Sequence, residues 1–330
     1  MFYLFFSFIS FFICNTLFIG ATQINNSAVL VLAYNRPDYF EKCLKALEKN
    51  PESEYMPFIF ALDGGSGSKQ KELSELIKNS NIKNKQILMR EYNYGCPKNY
   101  IDAQRYAFDT CKFEKLIVIE DDVVITDSYI SLMLNFHTWA NQQYSNIGVV
   151  QGWSLCWLSP EQKANRLDQV TENSLYWSFV TYCLDKKTWN TIKPLLYTFE
   201  KYIDTIPLKY KKERSRPEFS SLDKHIREWV KDSVKHKKKI FKSGDYISAY
   251  SKKHEKAFLS KKFKPNIDHV MGFALYMNNL IKLKTVVNRA LHIGVEGITT
   301  NTVLFNNWKY NAMKLDCFAE DKDRKNFKLI

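Results

Sequence analysis

The chain has 330 residues, 45% of them hydrophobic and 15% aromatic, with 11 Gly and 9 Pro. That supports one large α/β domain or two small ones and excludes a largely disordered chain. The formal net charge is +13, but no zinc-finger spacing, glycine-lysine phosphate loop or RNA-binding aromatic motif goes with it, so no nucleic acid partner is expected.

Residues 1–22 differ in kind from the rest. The first 20 carry no charge and are rich in Phe and Ile, long enough to span a bilayer. Gly20, Ala21 and Thr22 are small residues suited to cleavage. The segment is either a signal peptide or a membrane anchor, and it predicts a membrane-associated or secretory-pathway protein (Golgi or ER in a eukaryote). The first basic residue is Arg36, so positive charge gives no orientation. A single domain is expected over 23–315, with 316–330 as a tail. Six of the seven cysteines lie outside the leader, and none forms a CxxC pair. Structural zinc is therefore not expected, and the even count leaves disulfides open.

Ala28 to Ala33 is an unbroken apolar run, the pattern of a strand buried on both faces. It ends in Tyr34-Asn35-Arg36-Pro37-Asp38, and a helix follows with Phe40, Cys43, Leu44 and Leu47 on one face. A second strand, Pro57 to Leu62, ends in Asp63-Gly64-Gly65. A helix over 69–78 leads to a third strand at 86–89. A loop at 93–97 precedes a helix over 99–111. Lys115 to Ile119 forms the fourth strand and runs straight into Glu120-Asp121-Asp122.

Thr126-Asp127-Ser128 caps a helix to about residue 141. Further strands are expected at 147–153, 176–183 and 284–288, with Asp185 capping the helix after the second of these. Between 199 and 264 the signal fades into a basic segment with one helix over 222–234, expected to be either a variable insertion or an acceptor-side region. Structure returns at 265–269, with Asp268 just before a helix that runs to about residue 279. Gly294 and Gly297, three apart, form either a lid or an ordinary loop.

Strand and helix alternate as in a parallel sheet. Right-handed crossovers would align the strand ends, so Arg36, Asp63 and the Glu120–Asp122 cluster should face one crevice. Three adjacent carboxylates are too costly to bury without partners. They form either a solvated turn or a site for a hard divalent cation carrying phosphate oxygens.

Together these stretches resemble GT-A-type glycosyltransferases, most closely the N-acetylglucosaminyltransferase I family and related bacterial enzymes. The resemblance is carried by Val31 to Arg36, Ala61 to Gly65, Val118 to Asp122 and Val287 to Gly297. It implies an α/β GT-A fold and an inverting, metal-dependent transfer of a sugar, GlcNAc in that family, from a UDP-sugar to a glycan, glycoprotein or glycolipid hydroxyl. By the same resemblance Arg36 and Asp63 hold the uridine, and Glu120 and Asp121 contact the nucleotide-sugar near the ribose. Asp122 ligates Mn²⁺ (or Mg²⁺), and Asp268 is the general base.

Two departures stand out. The family's paired acids at the base position are Asp268-His269 here, and Thr300-Asn301 replace the lid residues, which leaves GlcNAc, galactose and glucose open as donor sugars. Helix capping is the competing role for Asp268, whose pKa a helix N-terminus would keep low. Glu218 and Asp223 are rival bases. A non-catalytic GT-A-like binding domain and a nucleotidyltransferase are the alternative functions.

Overall fold

The computed structural model describes residues 26–155, 157–173, 178–205, 217–240, 255–260 and 266–295, and towards the C-terminus 306, 313, 315, 321 and 323–330. The leader, the rest of the 199–264 segment and the loop containing Gly297, Thr300 and Asn301 lie outside them. Among the described residues no helix is long and apolar enough to cross a membrane.

The chain folds as a mixed α/β structure around a nine-stranded, mostly parallel sheet. Its first half alternates β1 (Ser27–Ala33), α1 (Pro37–Glu48), β2 (Phe58–Leu62), α2 (Ser68–Asn79), β3 (Lys85–Met89), α3 (Cys96–Arg105) and β4 (Lys115–Glu120). The second half holds β5 (Val123–Ile125), α4 (Tyr129–Gln143), β6 (Ile147–Gln151), α5 (Pro160–Ala164), β7 (Gln169–Glu172), β8 (Thr181–Asp185) and α6 (Lys186–Asp204). It continues through α7 (Pro217–Ile240), α8 (Ile267–Met277), β9 (Ile281–Thr285) and β10 (Ala290–His292) to β11 (Lys328–Leu329). The sheet order is β11-β7-β9-β6-β8-β4-β1-β2-β3, and β5 pairs separately with β10.

β1 lies parallel between β2 and β4. All seven of its residues are buried, as are all five of β2. Side chains alternate across a strand, and the core divides accordingly. Val29, Val31, Phe58, Phe60, Ile117 and Ile119 join one cluster with α1, α2 and α4. Ala28, Leu30, Ile59, Ala61, Leu116 and Val118 join the other with α3, α6, α7 and α8. Helices on both faces explain why these strands are apolar throughout.

Several expected boundaries move. The aromatic strand expected at 176–183 is β8, Thr181–Asp185, and it runs antiparallel between β4 and β6. Asp185 does cap α6, accepting the Thr188 amide at 2.8 Å. The strand expected at 284–288 is β9, displaced to Ile281–Thr285 because it pairs parallel with β6. The helix expected at 222–234 spans Pro217–Ile240. The helix expected over 99–111 begins at Cys96 and passes into a π turn, Tyr106–Thr110. Within the stretch read as a tail, β11 extends the sheet edge through β7, and Phe327 packs on Phe136 at 4.8 Å and on Trp139 at 5.5 Å. Among the described residues Cys43, Cys111 and Cys183 are free thiols.

Candidate functional site

Because β1, β2 and β4 are parallel neighbours, the residues that follow them share one sheet edge. Leu32 is in register with Glu120, and Ala33 with Leu62. Arg36, Asp63 and the three acids therefore converge, as their positions after the strands imply.

Asp63 is 3% exposed. Its Oδ1 accepts the Gly64 amide at 2.9 Å and the Tyr94 amide at 2.7 Å. Burial pushes its pKa up, and these amides pull against that. Gly64 is required there, because a Cβ would lie 2.5 Å from the Tyr92 carbonyl.

Arg36 bridges two of the acids. Its guanidinium pairs with Asp121 and, at 2.6 Å, with Asp122 Oδ2. Burial pushes Asp121 up to about 6 against the pull of Arg36. Burial acts in the same direction on Asp122, but His292 and Arg36 outweigh it and hold this carboxyl well below the usual range. Desolvation raises Glu120 far above its ordinary value, and the charges of Asp122 and Asp268 add to that. Three acids thus face one guanidinium and one imidazole, an arrangement that favours an additional cation.

The sequence reading missed His292. β10 lies antiparallel to β5, the strand directly after the acids, with His292 opposite Val123. His292 Nε2 sits 3.2 Å from Asp122 Oδ2. Ligand atoms of Glu120, Asp122 and His292 all fall within 4.8 Å of one another. Asp122 Oδ1 is buried and has no hydrogen-bond partner among the described residues. Two carboxylates, one imidazole and one open buried oxygen fit a divalent cation. The signal available in sequence was the pair of short apolar segments, Val123 to Ile125 and Ala290 to His292, the second ending in histidine.

β10 is fastened to the acids by the backbone as well, since the Ile293 amide donates to the Asp122 carbonyl at 2.8 Å. At Gly294 a Cβ would lie 2.1 Å from Asp122 Oδ2, so only glycine permits this approach. Gly294→Ala is expected to displace the Asp122 carboxylate and cost about 1–3 kcal/mol of stability. Metal affinity should fall with it. Unchanged Mn²⁺ affinity in a calorimetric titration of the variant would count against the cluster as a metal site.

Asp268 lies on the first turn of α8, but it is not the cap. Asn266 holds that position and accepts the His269 amide at 2.9 Å. Asp268 Oδ1 is buried without a hydrogen-bond partner among the described residues. The low pKa expected from the helix N-terminus does not hold. Burial pushes Asp268 up to about 7, although Lys282 and His292 pull it down. Desolvation of a whole charge outweighs a partial-charge helix end. Lys282 is itself buried, donates to the Ser178 carbonyl at 2.8 Å and lies 4.1 Å over the Phe179 ring. Of the rival acids, Asp223 faces Arg227 at 3.9 Å on α7, and the Glu218 side chain lies outside the described residues.

No family model and no curated protein matches the chain. Among solved structures, S. aureus TarS aligns at 12% identity over 54% of this chain and 33% of its own, with a TM-score of 0.36. The chain thus spans about a third of that protein's length. A mannosyltransferase from Pyrobaculum calidifontis, PcManGT, in complex with GDP-Man and Mn²⁺, aligns at 12% identity over 76% of this chain and 73% of its own (TM-score 0.39). The galactosyltransferase LgtC, in complex with donor and acceptor sugar analogues, aligns at 14% identity over 55% and 66% (TM-score 0.32). The likeness is one of fold, a mixed α/β layer structure around a large, mostly parallel sheet.

Proposed function

We propose that the chain is a metal-dependent, inverting glycosyltransferase of GT-A type, which moves a sugar from a UDP-sugar to a hydroxyl of a glycan or glycoconjugate. The observation that carries this reading is the half-buried Glu120–Asp122–His292 cluster at the sheet edge, Asp122 itself being buried, with Arg36 and Asp63 on the neighbouring strand ends. Asp122, Glu120 and His292 would hold the cation, which when bound neutralises the charge gathering on the departing diphosphate.

The rest of the chemistry falls to side chains. Asp63, fixed by two amides, is an acceptor for an N–H of the base. Arg36 keeps Asp121 and Asp122 oriented and offers positive charge beside the nucleotide. Asp268 takes the proton of the acceptor hydroxyl as its oxygen bonds to the anomeric carbon. The bond from that carbon to the diphosphate breaks with its electron pair leaving on UDP, and one direct displacement inverts the centre. The test is a panel of UDP- and GDP-sugars with the full chain. Slow hydrolysis of a UDP-sugar, abolished by EDTA and restored by Mn²⁺, is expected. Failure to hydrolyse any nucleotide sugar, with metal present, would refute the reading.

Asp268→Asn separates base from structural acid. Transfer is expected to fall roughly a hundredfold or more while donor binding survives. In the parent, turnover should rise as pH passes about 7, where Asp268 loses its proton. The stability effect has the opposite sense. A folded-state pKa raised above the usual value means that the folded chain holds the proton more tightly. Its contribution is full below the ordinary carboxylate range and is lost as pH rises through about 7. The Asn variant should therefore gain thermal stability relative to the parent as pH rises from about 4 to about 7. Parent-level transfer in the variant would remove Asp268 from the mechanism.

A further inference from the structure

A groove of about 710 Å³ lies outside the acid cluster, between the end of α6, the outer face of α7 and the end of α8. That volume is in the range of ligand sites. Its aromatic and apolar lining is Tyr202, Trp229 and Met277; its polar lining includes His225, Glu228, Asp232 and His236. The polar residues recur at three- and four-residue spacing, which sets them along one helix face. Trp229 is held in place by Phe273 of α8, edge to face at 5.2 Å, and by Tyr202 at 5.9 Å.

The groove has a direction. Trp229 packs on Phe273, and further along α7 Lys237 donates to the Tyr276 carbonyl and to Asn279 Oδ1 at 2.8 Å. The two helices therefore run in the same sense. The His225 end of the groove lies towards the end of α8 that bears Asp268, and the His236 end towards Met277. From Phe273 back to Asp268 is about 7–8 Å of helix rise.

The lining discriminates among ligands. His225 and His236 are separated by about 16 Å of helix rise, so the polar groups cannot close on one metal ion. Two carboxylates disfavour nucleic acid, sulfated glycans and phosphorylated partners. Asp232 is shared with the exposed Lys235 at 3.5 Å. Among the described residues the Glu228 side chain has no ion pair or hydrogen bond, and it is exposed. Aromatic faces take up the C–H surface of a flat polar ring, and carboxylate and imidazole groups accept its hydroxyl protons.

We infer that this groove binds an uncharged, hydroxyl-rich chain, the neutral oligosaccharide portion of an acceptor leading away from the Asp268 end. The inference rests on the glycosyl-transfer reading for the word acceptor, but its test does not. The full chain would be titrated with neutral gluco-, galacto- and manno-oligosaccharides, and with a sulfated oligosaccharide as the anionic control. Binding would be followed by calorimetry and tryptophan fluorescence. Saturable binding of a neutral series is expected, with none of the sulfated chain. Glu228→Lys, an exposed substitution, and Trp229→Leu should each weaken it by about tenfold or more, with acceptor-free UDP-sugar hydrolysis unchanged. Absence of any neutral binding, unchanged affinity in Glu228→Lys, or equal binding of the sulfated chain would overturn the inference. Loss of hydrolysis in the parent protein would overturn the transferase reading instead, and leave the groove to be judged on binding.

Discussion

Asp122→Asn is expected to abolish metal-dependent turnover while the fold survives. The substitution keeps the size of the side chain and removes its charge. In the parent, Asp122 Oδ2 meets both Arg36, at 2.6 Å, and His292, at 3.2 Å, and Oδ1 has no partner among the described residues. An amide oxygen is a far weaker ligand for a hard cation than a carboxylate. A loss of several kcal/mol in the transition state corresponds to about a thousandfold or more in rate. The fold should hold, because Arg36 keeps Asp121 and loses only one charged hydrogen bond, worth about 1–3 kcal/mol. Mn²⁺ titration of UDP-sugar hydrolysis is the measurement. A variant with the parent's metal dependence would show that Asp122 is not a ligand.

The second large effect concerns stability. Arg289 and Asp321 are both fully buried and pair through Nε at 2.5 Å and Nη2 at 3.0 Å. Arg289 also donates to the Val287 carbonyl at 2.8 Å and to the Leu167 carbonyl at 3.0 Å. Asp321→Ala would leave a guanidinium buried without its counter-charge, at a cost of about 3–5 kcal/mol. Replacing both partners with apolar residues, Arg289→Met with Asp321→Leu, should recover part of that loss, because the fully buried guanidinium is no longer stranded, while Arg324, which also pairs with Asp321 at 3.0 Å and is 15% exposed, still loses its partner. Denaturant melts of the two variants test this. If Asp321→Ala unfolds at the parent's midpoint, or the double variant is no better than the single one, the pair does not act in this way. Arg289 lies three residues before His292, and its carbonyl accepts the Thr126 amide at 3.0 Å. Weaker metal binding should therefore accompany the loss of stability.

Much of the fold could be read from residues alone, for a local reason. β1, β2 and β4 are continuous apolar runs, and a strand covered on both faces has no other pattern available. With α1 and α2 between them, the parallel order and its right-handed connections follow. Arg36, Asp63 and Glu120–Asp122 then come to one edge without any knowledge of the rest. Asp185 is legible as a cap for the same reason, because capping involves only neighbours in sequence.

What stayed hidden depends on distant partners. β9 carries Lys282 inside it, and a buried lysine breaks the apolar pattern that marks a strand. Its position is decided by pairing with β6 and by the Ser178 carbonyl that receives the ammonium. The C-terminal residues read as a tail because two-residue β11 has no period of its own; β7, Trp139 and Arg289 supply its order. Asp268 was readable as an acid near a helix start, yet its high pKa comes from burial by the assembled protein. Sequence by itself determined the central parallel strands and the acids at their ends, because both follow from short-range patterns. Only the tertiary structure decided that His292, 170 positions beyond Asp122, completes the cluster. Nothing local links a histidine to a carboxylate across that separation, and the β5–β10 pairing that joins them exists only once the chain has folded.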